Sequence, residues 1–287
     1  MLVIVGAIVV ILSVFGGYAA AGGHLGVLVQ PFEFVIIGGA GLGSMLISCT
    51  PQQIKNIFTQ IAGSIKGAPT GKEQYLELLL LLFELCKTAK QNPLSLEPHI
   101  EKPDTSEIFK RYPGILHNHH AVHFLCDTLK VQISAPMSPY DLEDLMDADI
   151  TVIHEGEAHA PGMVAKVGDA MPGLGTVAAV LGVVHTMGKL TEGKEVIGNS
   201  VAAALVGTFI GILLSYGFMQ PLSAKMEAVN QENGKFFIVI KAALIAYAKN
   251  CSPKVCVEFA RRNVPDGARP SFEEVDKATS GAGKKAA

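Results

Sequence analysis

Three hydroxyls and two prolines carry the first chemical signal. Ser200, Thr208 and Ser215 are separated by eight and seven residues, which puts them on one face of a helix. Such a stripe suits a wet, ion-facing surface. A competing reading has each hydroxyl bonding the backbone of its own helix. Pro172 and Pro221 flank the same stretch, and proline limits the backbone where a kink or hinge can form. Equally informative is what the stretch lacks. No Lys, Arg, Asp or Glu lies between Asp169 and Lys189, or between Glu195 and Lys225. A proton or cation path through a membrane needs an ionisable group. With no carboxylate or lysine expected in the membrane core, a chain that moves ions takes its carboxylate from a partner.

The elements that must position these residues follow from charge. The two charge-free runs hold 19 and 29 residues, and about 20 apolar residues span the hydrocarbon core of a bilayer. They read as two membrane helices joined by a short polar turn. Pro172 opens the first and Pro221 closes the second, near the same membrane face. Small residues recur four apart, Gly175 with Ala179, Ala178 with Gly182 and Gly207 with Gly211, and that spacing lets membrane helices approach closely.

Two more spans precede them. Residues 1–32 contain no charged side chain, and only His24 there could titrate. Ala19-Ala20-Ala21 resembles a signal cleavage site, but a signal peptide wants Lys or Arg before its apolar run, so a retained first helix is expected. After the turn GGHLGVLVQP, Phe32 to Cys49 forms the second span, with Gly39 and Gly43 four apart. Glu33 sits at its end, where a charge is cheap, and is read as structural.

The remainder is soluble in character. Of 287 residues, 49% are hydrophobic and 17% charged, the net charge is −3, and there is no Trp, so neither a nucleic-acid signature nor a tryptophan belt is present. LELLLLLFELC is apolar without interruption only from Leu78 to Phe83, too short to span, and reads as a core helix. Helical segments are expected at Ser106–Arg111, Val122–Ile133 and Tyr140–Ile153, with proline-containing breaks. FFIVIKAALIAYA holds Lys241 at its centre, at a cost of roughly 2.5–3.5 kcal/mol in a bilayer, and so reads as a buried cytoplasmic helix. The tail ATSGAGKKAA is expected to be disordered. The expectation is an all-α polytopic membrane protein with four transmembrane helices and a helical cytoplasmic domain. Its parts are 1–49 (two spans), 50–168 (cytoplasmic), 169–221 (two spans) and 222–287 (cytoplasmic). Segments 50–168 and 222–287 carry 10 and 11 Lys and Arg, whereas the turn 22–29 carries none. Positive loops stay inside, which puts both termini in the cytoplasm.

Other clusters carry less. His119 and His123, within HNHHAVH (His117 to His123), are four apart in metal-compatible geometry; the reading taken is a surface cluster without a metal. His185 reads as an interfacial residue. The five scattered cysteines are read as reduced thiols. No nucleotide fingerprint, nucleophile motif or catalytic dyad appears, so neither an enzyme nor a cofactor is expected. Lys87 and Lys90 beside Glu84, with Glu97 and Glu101 following, are either a solvated helical face or a charged docking patch.

Along nearly its whole length the chain resembles the flagellar motor stator A-subunit family, MotA. VFGGY, QPFEFVIIGGAGLGS, YPGIL, VGDAMPGLGTVAAVLGVVHTMG, VGTFIGILLSYGF and RPSF match the family landmarks in order and spacing. The resemblance implies a bacterial inner-membrane protein that conducts protons with a B subunit, MotB, whose single membrane helix carries the proton-accepting aspartate and which anchors to peptidoglycan. It implies five A subunits around two B helices, and a cytoplasmic domain that pushes the rotor protein FliG. Pro172 and Pro221 match the family prolines that couple ion flow to movement, and Thr208 matches the threonine lining the ion path. Lys90 and Glu97 fall at the rotor-interface positions, with lysine where arginine is common. Sodium-driven relatives tend to have threonine where this chain has Ala179, which favours protons; Thr176, one turn earlier, could also face the channel. The histidine cluster has no family role. The alternatives are an ExbB or TolQ-type energising ring, whose members usually have three spans, and a membrane scaffold without ion flow.

Overall fold

The computed structural model describes residues 2–67, 71–116, 118–188 and 194–282. Among them every regular element is helical, in agreement with the expected class. The chain divides into two compact units, residues 1–67 with 157–229 and residues 68–156 with 230–287. Four helical stretches are long and apolar enough to cross a membrane: Leu2–Ala20, Leu25–Ser48, Pro139–Met187 and Ala204–Ala248.

The first unit holds α1 (Leu2–Ala20), the short α2 (Leu25–Leu28), α3 (Pro31–Ser48) and α4 (Pro51–Lys66). It also holds the second half of α9 (Pro139–Met187), α10 (Lys194–Leu214), a π turn (Ser215–Met219) and the start of α11 (Gln220–Ala248). No residue of α1 is buried within the single chain, as suits an apolar helix whose solvent is lipid. A capping box starts α4: the Gln53 N–H donates to Thr50 Oγ1 at 3.4 Å, and the Thr50 N–H donates to Gln53 Oε1 at 2.8 Å. Its apolar face turns Ile54, Ile57 and Ile61 into a core with Met163, Val164 and Met226, leaving Gln52, Asn56 and Thr59 outward or partly so.

The prolines behave differently from the expectation. Pro172 does not open a helix, and Tyr140–Ile153 is not a separate segment: α9 runs unbroken through Pro161 and Pro172. Pro221 does not close a helix either, since it is the second residue of α11. Interior proline normally costs about 3 kcal/mol because it leaves the carbonyl four residues back without a donor. At Pro161 a neighbour replaces that donor: Gln60 Nε2 donates to the Glu157 carbonyl at 3.4 Å. Before Pro221 the chain has already left α geometry, since the Gln220 N–H donates to the Ser215 carbonyl five residues back.

Glycine sets the distance between α9 and α10. A Cβ on Gly175 would stand 2.7 Å from the Gly207 carbonyl oxygen and 3.1 Å from Gly211 Cα. One on Gly211 would stand 2.5 Å from the Met171 carbonyl oxygen, and one on Gly182 would meet Ala204 Cβ at 2.8 Å. These are backbone-to-backbone approaches of the small-residue kind, and they come from the residues whose spacing forecast them.

The second unit is a helical core around α5 (Lys72–Gln91). Five leucines of α5, Leu78, Leu79, Leu81, Leu82 and Leu85, are almost wholly buried, as expected of an all-round apolar helix. Tyr75 stacks on Phe236 with centroids 4.6 Å apart, and Phe124 meets Phe237 edge-on at 5.3 Å. The apolar stretch around Lys241 therefore belongs to this core. Lys241 Nζ donates to both carboxylate oxygens of Asp147 at 2.7 Å and pairs with Glu143 at 3.3 Å. Of the expected helix at Ser106–Arg111, only a 3-10 turn at Phe109–Arg111 forms. Val122–Ile133 lies inside α8 (His119–Ser134). Beyond α11 come α12 (Pro253–Arg262) and α13 (Phe272–Ala282), so the tail expected to be disordered from Ala278 is helical to Ala282; residues 283–287 lie outside the described residues. On α12, Arg261 and Arg262 hold Glu258 at 2.7 and 2.8 Å and draw its pKa down to about 2.

Gly211→Ala is expected to destabilise the membrane unit by about 1–3 kcal/mol through overpacking. Gly43→Ala, whose Cβ would meet nothing within 4 Å, is expected to be neutral or slightly stabilising. Thermal unfolding of the two proteins in one detergent checks the contrast; equal melting would remove Gly211 from the helix contact.

Candidate functional site

The site grows from the α9–α10 contact. Gly207 lacks a side chain where three groups converge: a Cβ there would lie 2.7 Å from Glu33 Oε2, 3.2 Å from Ala178 Cβ and 3.2 Å from the Ala179 nitrogen. The carboxyl of Glu33, from the first turn of α3, thus reaches the crossing of α9 and α10. Glu33 is only 8% exposed, and its Oε2 has no hydrogen-bond partner among the described residues. The expectation of a membrane core without a buried carboxylate, with Glu33 cheaply placed at a span end, is corrected here. Position along a helix did not reveal the burial, because it is tertiary: α3 packs against α10, which sets the Glu33 carboxyl beside Gly207. The signal in the sequence was Glu33 itself, the sole Asp, Glu, Lys or Arg in residues 1–54. An unpartnered carboxylate oxygen inside a membrane protein marks a functional group, and a carboxylate can take up and release a proton.

Thr208 follows Gly207 on α10 and is half-buried, and its hydroxyl makes no hydrogen bond among the described residues. Ser215, at the head of the π turn, is 1% exposed, and its Oγ is likewise unpartnered. Neither hydroxyl bonds its own helix backbone, so of the two sequence readings the structure supports an available hydroxyl face. The side chain of Ser200 lies outside the described residues. Thr176 differs: it is exposed, and its Oγ1 donates to the Pro172 carbonyl at 3.1 Å. Ala179 is half-buried beside Gly207.

The contacts between α9 and α10 fix an antiparallel register, Gly168 facing Met219, Gly175 facing Gly211 and Gly182 facing Ala204. It sets Pro172 level with Leu214. Pro221 lies seven residues further toward the same end, roughly 10 Å at 1.5 Å per residue. The prolines thus share an end of the helix pair, at different depths.

In the second unit, Lys90 and Glu97 are both exposed. Lys90 ends α5, and a 3-10 turn at Pro93–Leu96 leads to α6 (Glu97–Glu101). Lys90 has a structural contact that its sequence position did not announce. Its ammonium donates to the carbonyls of Asn250 and Cys251, each at 3.3 Å. Those carbonyls belong to a Schellman end of α11: the Cys251 N–H reaches the Ala246 carbonyl at 3.1 Å, the Asn250 N–H reaches that of Tyr247 at 2.8 Å, and Asn250 has φ +58°. Lys90 also helps hold the Cys256 thiol below its ordinary range, behind the hydrogen bond with Cys86. His119, His120 and His123 are exposed on α8, His117 lies outside the described residues, and no metal-holding cluster is found among the described residues. The five cysteines are free thiols.

Two family models match the chain: the motility protein A N-terminal model over residues 4–93, and the MotA/TolQ/ExbB proton channel family over residues 117–235. Motility protein A of Salmonella typhimurium is 41% identical over 279 residues, covering 96% of this chain and 94% of that protein. Motility protein A of Escherichia coli is 40% identical over the same shares. The fold is similar to the structure of C. jejuni MotAB, with a TM-score of 0.76 at 19% identity, covering 94% of this chain and 98% of that one.

Lys90→Met is expected to cost about 0.5–1.5 kcal/mol by leaving the end of α11 without its cation, and Lys90→Arg to restore most of it. Unfolding by denaturant measures both; an unchanged Lys90→Met midpoint would leave the residue without a structural role.

Proposed function

The chain belongs to the motility protein A family, within the MotA/TolQ/ExbB proton channels, and from that premise we propose that it is the A subunit of a flagellar motor stator. With a B subunit of the MotB kind it forms a proton-conducting membrane complex that turns ion flow into torque. The observation that carries this reading is the 41% identity to a motility protein A over 96% of the chain. The finer picture goes with it: an inner-membrane protein with cytoplasmic termini, assembled as five copies around two B helices. Its second unit works on the rotor protein FliG through Lys90 and Glu97. Its role is mechanical and conductive rather than enzymatic, and the ion is the proton. One charge crossing 100 mV makes about 2.3 kcal/mol available.

The site residues take roles that fit their surroundings. Glu33 and Ala179 stand beside Gly207, and Thr208 is the next residue of α10, beside Gly175; the crossing so offers a carboxylate and, close by, a hydroxyl to an ion. Thr176 stands one turn from Ala179. Pro172 and Pro221, at one end of the pair, are where ion passage becomes movement of the helices. Ala179, beside Gly207, adds no hydroxyl to the crossing, which suits a proton better than a hydrated metal ion. The broader family includes ExbB and TolQ, but the N-terminal motility match and four candidate spans favour the motor.

The deciding experiment complements a strain that lacks its own A subunit with this chain and its B partner. Swimming is expected to be indifferent to external sodium at fixed pH and to stop when a protonophore collapses the proton gradient. Rescue that tracks sodium would reject the proton assignment. Absence of rescue by an inserted, assembled chain would reject the stator reading.

In the same strain, Glu33→Gln and Pro172→Ala are expected to lower swimming speed several-fold while the complex still assembles. Lys90→Glu with Glu97→Lys is expected to reduce torque without reducing proton flow through the complex. Speeds equal to the unaltered chain would remove each residue from its role.

A further inference from the structure

A cavity of about 530 Å³ opens in the first unit between α1, the end of α4 and the π turn with the start of α11. Its walls are apolar, with Leu2, Val3 and Val10 on one side and Phe218 and Leu222 on the other. Gly6 and Gly217 keep it open. A Cβ on Gly6 would meet nothing within 4 Å, and one on Gly217 would stand 3.2 Å from Val10 Cγ1. Among its lining residues only Ser64 and Lys225 bring polar side chains. Lys225 is the first charge after the 29-residue apolar run, so it stands where that span leaves the hydrocarbon. It is half-buried, and its ammonium has no partner among the described residues. The amphipathic α4 ends at the same place, as a helix lying at a membrane interface would.

We propose that this cavity is a binding site for one anionic phospholipid, with an acyl chain between α1 and the π turn and the phosphate on Lys225. The shape separates the two halves of such a ligand: an apolar slot open toward the bilayer, and one unpaired cation at its mouth. A helix from a second copy would need an acidic residue opposite Lys225 and a smooth face, whereas an acyl chain fills a slot of irregular width. The proposal rests on the chain lying in a membrane, and its test on assembly with the B partner proposed above; swimming tests the motor reading separately.

The test purifies the full chain with its B partner and exposes it to phosphatidylglycerol or phosphatidylcholine of the same acyl chains. Native mass spectrometry then counts retained lipid. The unaltered protein is expected to prefer phosphatidylglycerol by about fivefold, the size of one lysine's attraction at a membrane surface. Lys225→Gln is expected to bring the preference to about one, and Gly6→Leu to lower retention of both lipids. Lys55→Gln, an exposed lysine of α4, is expected to leave the preference as it was. Equal retention of the two lipids by the unaltered protein overturns the proposal, and so does a preference that survives both Lys225→Gln and Gly6→Leu. A Gly6→Leu protein that keeps its lipid but loses its assembled mass assigns the cavity to a neighbouring copy and overturns it as well.

Discussion

The structure depends on two backbones that touch. Where Gly175 of α9 faces Gly207 and Gly211 of α10, no side chain separates the helices. In a bilayer the lipid tails are as apolar as leucine, so close van der Waals packing has to hold helices together in place of the hydrophobic effect. The same closeness leaves a vacancy beside Gly207 that the Glu33 carboxyl occupies. A Cβ at 207 would close the helix pair to that carboxyl. One residue type therefore determines both how the membrane unit packs and which charged group it admits.

Much of this was legible in the sequence, for physical reasons. Charge-free length marks a span because ions are costly in hydrocarbon, and small residues four apart mark a contact because only they permit it. Lys241 marked a helix buried in the second unit's core for the same reason, and Asp147 and Glu143 are its partners. The failures have a common cause: each needed knowledge of what stands next to a residue in space. Pro161 passes through α9 because Gln60, about a hundred residues earlier, reaches the stranded carbonyl. Glu33 is buried because α3 packs on α10 where Gly207 leaves room for its carboxyl. Lys90 has partners within the chain because the turn after α11 comes beside the end of α5. Local pattern carries no information about such contacts.

Charge is distributed differently in the two units. In the second, several acids and bases pair: Lys72 with Glu274, Arg111 with Glu84, Lys254 with Asp276. Each such pair is exposed at least in part and contributes little stability. In the first unit the polar groups that matter are unmatched. Among the described residues, Glu33 and Ser215 are buried with an oxygen unused, and Lys225 at the cavity mouth has no partner. A protein that folds for stability alone would pair or remove such groups. Their persistence is intelligible if something else visits them: a proton, a partner's side chain or a lipid headgroup.

The π turn at Ser215–Met219 gives the fourth span one residue more than an α-helix of its length requires. Counting a helical face across it therefore misleads by about 100°, the rotation of one residue. Thr208 and Ser215 lie before the wide part of the turn and keep their common face; Pro221 and Lys225 lie after it and are offset from where an unbroken 3.6-residue period would set them. The same surplus makes residues 215–219 the place where this helix could lose a residue without rotating everything downstream. A family alignment that gaps the span there would be recording helix geometry and not divergence.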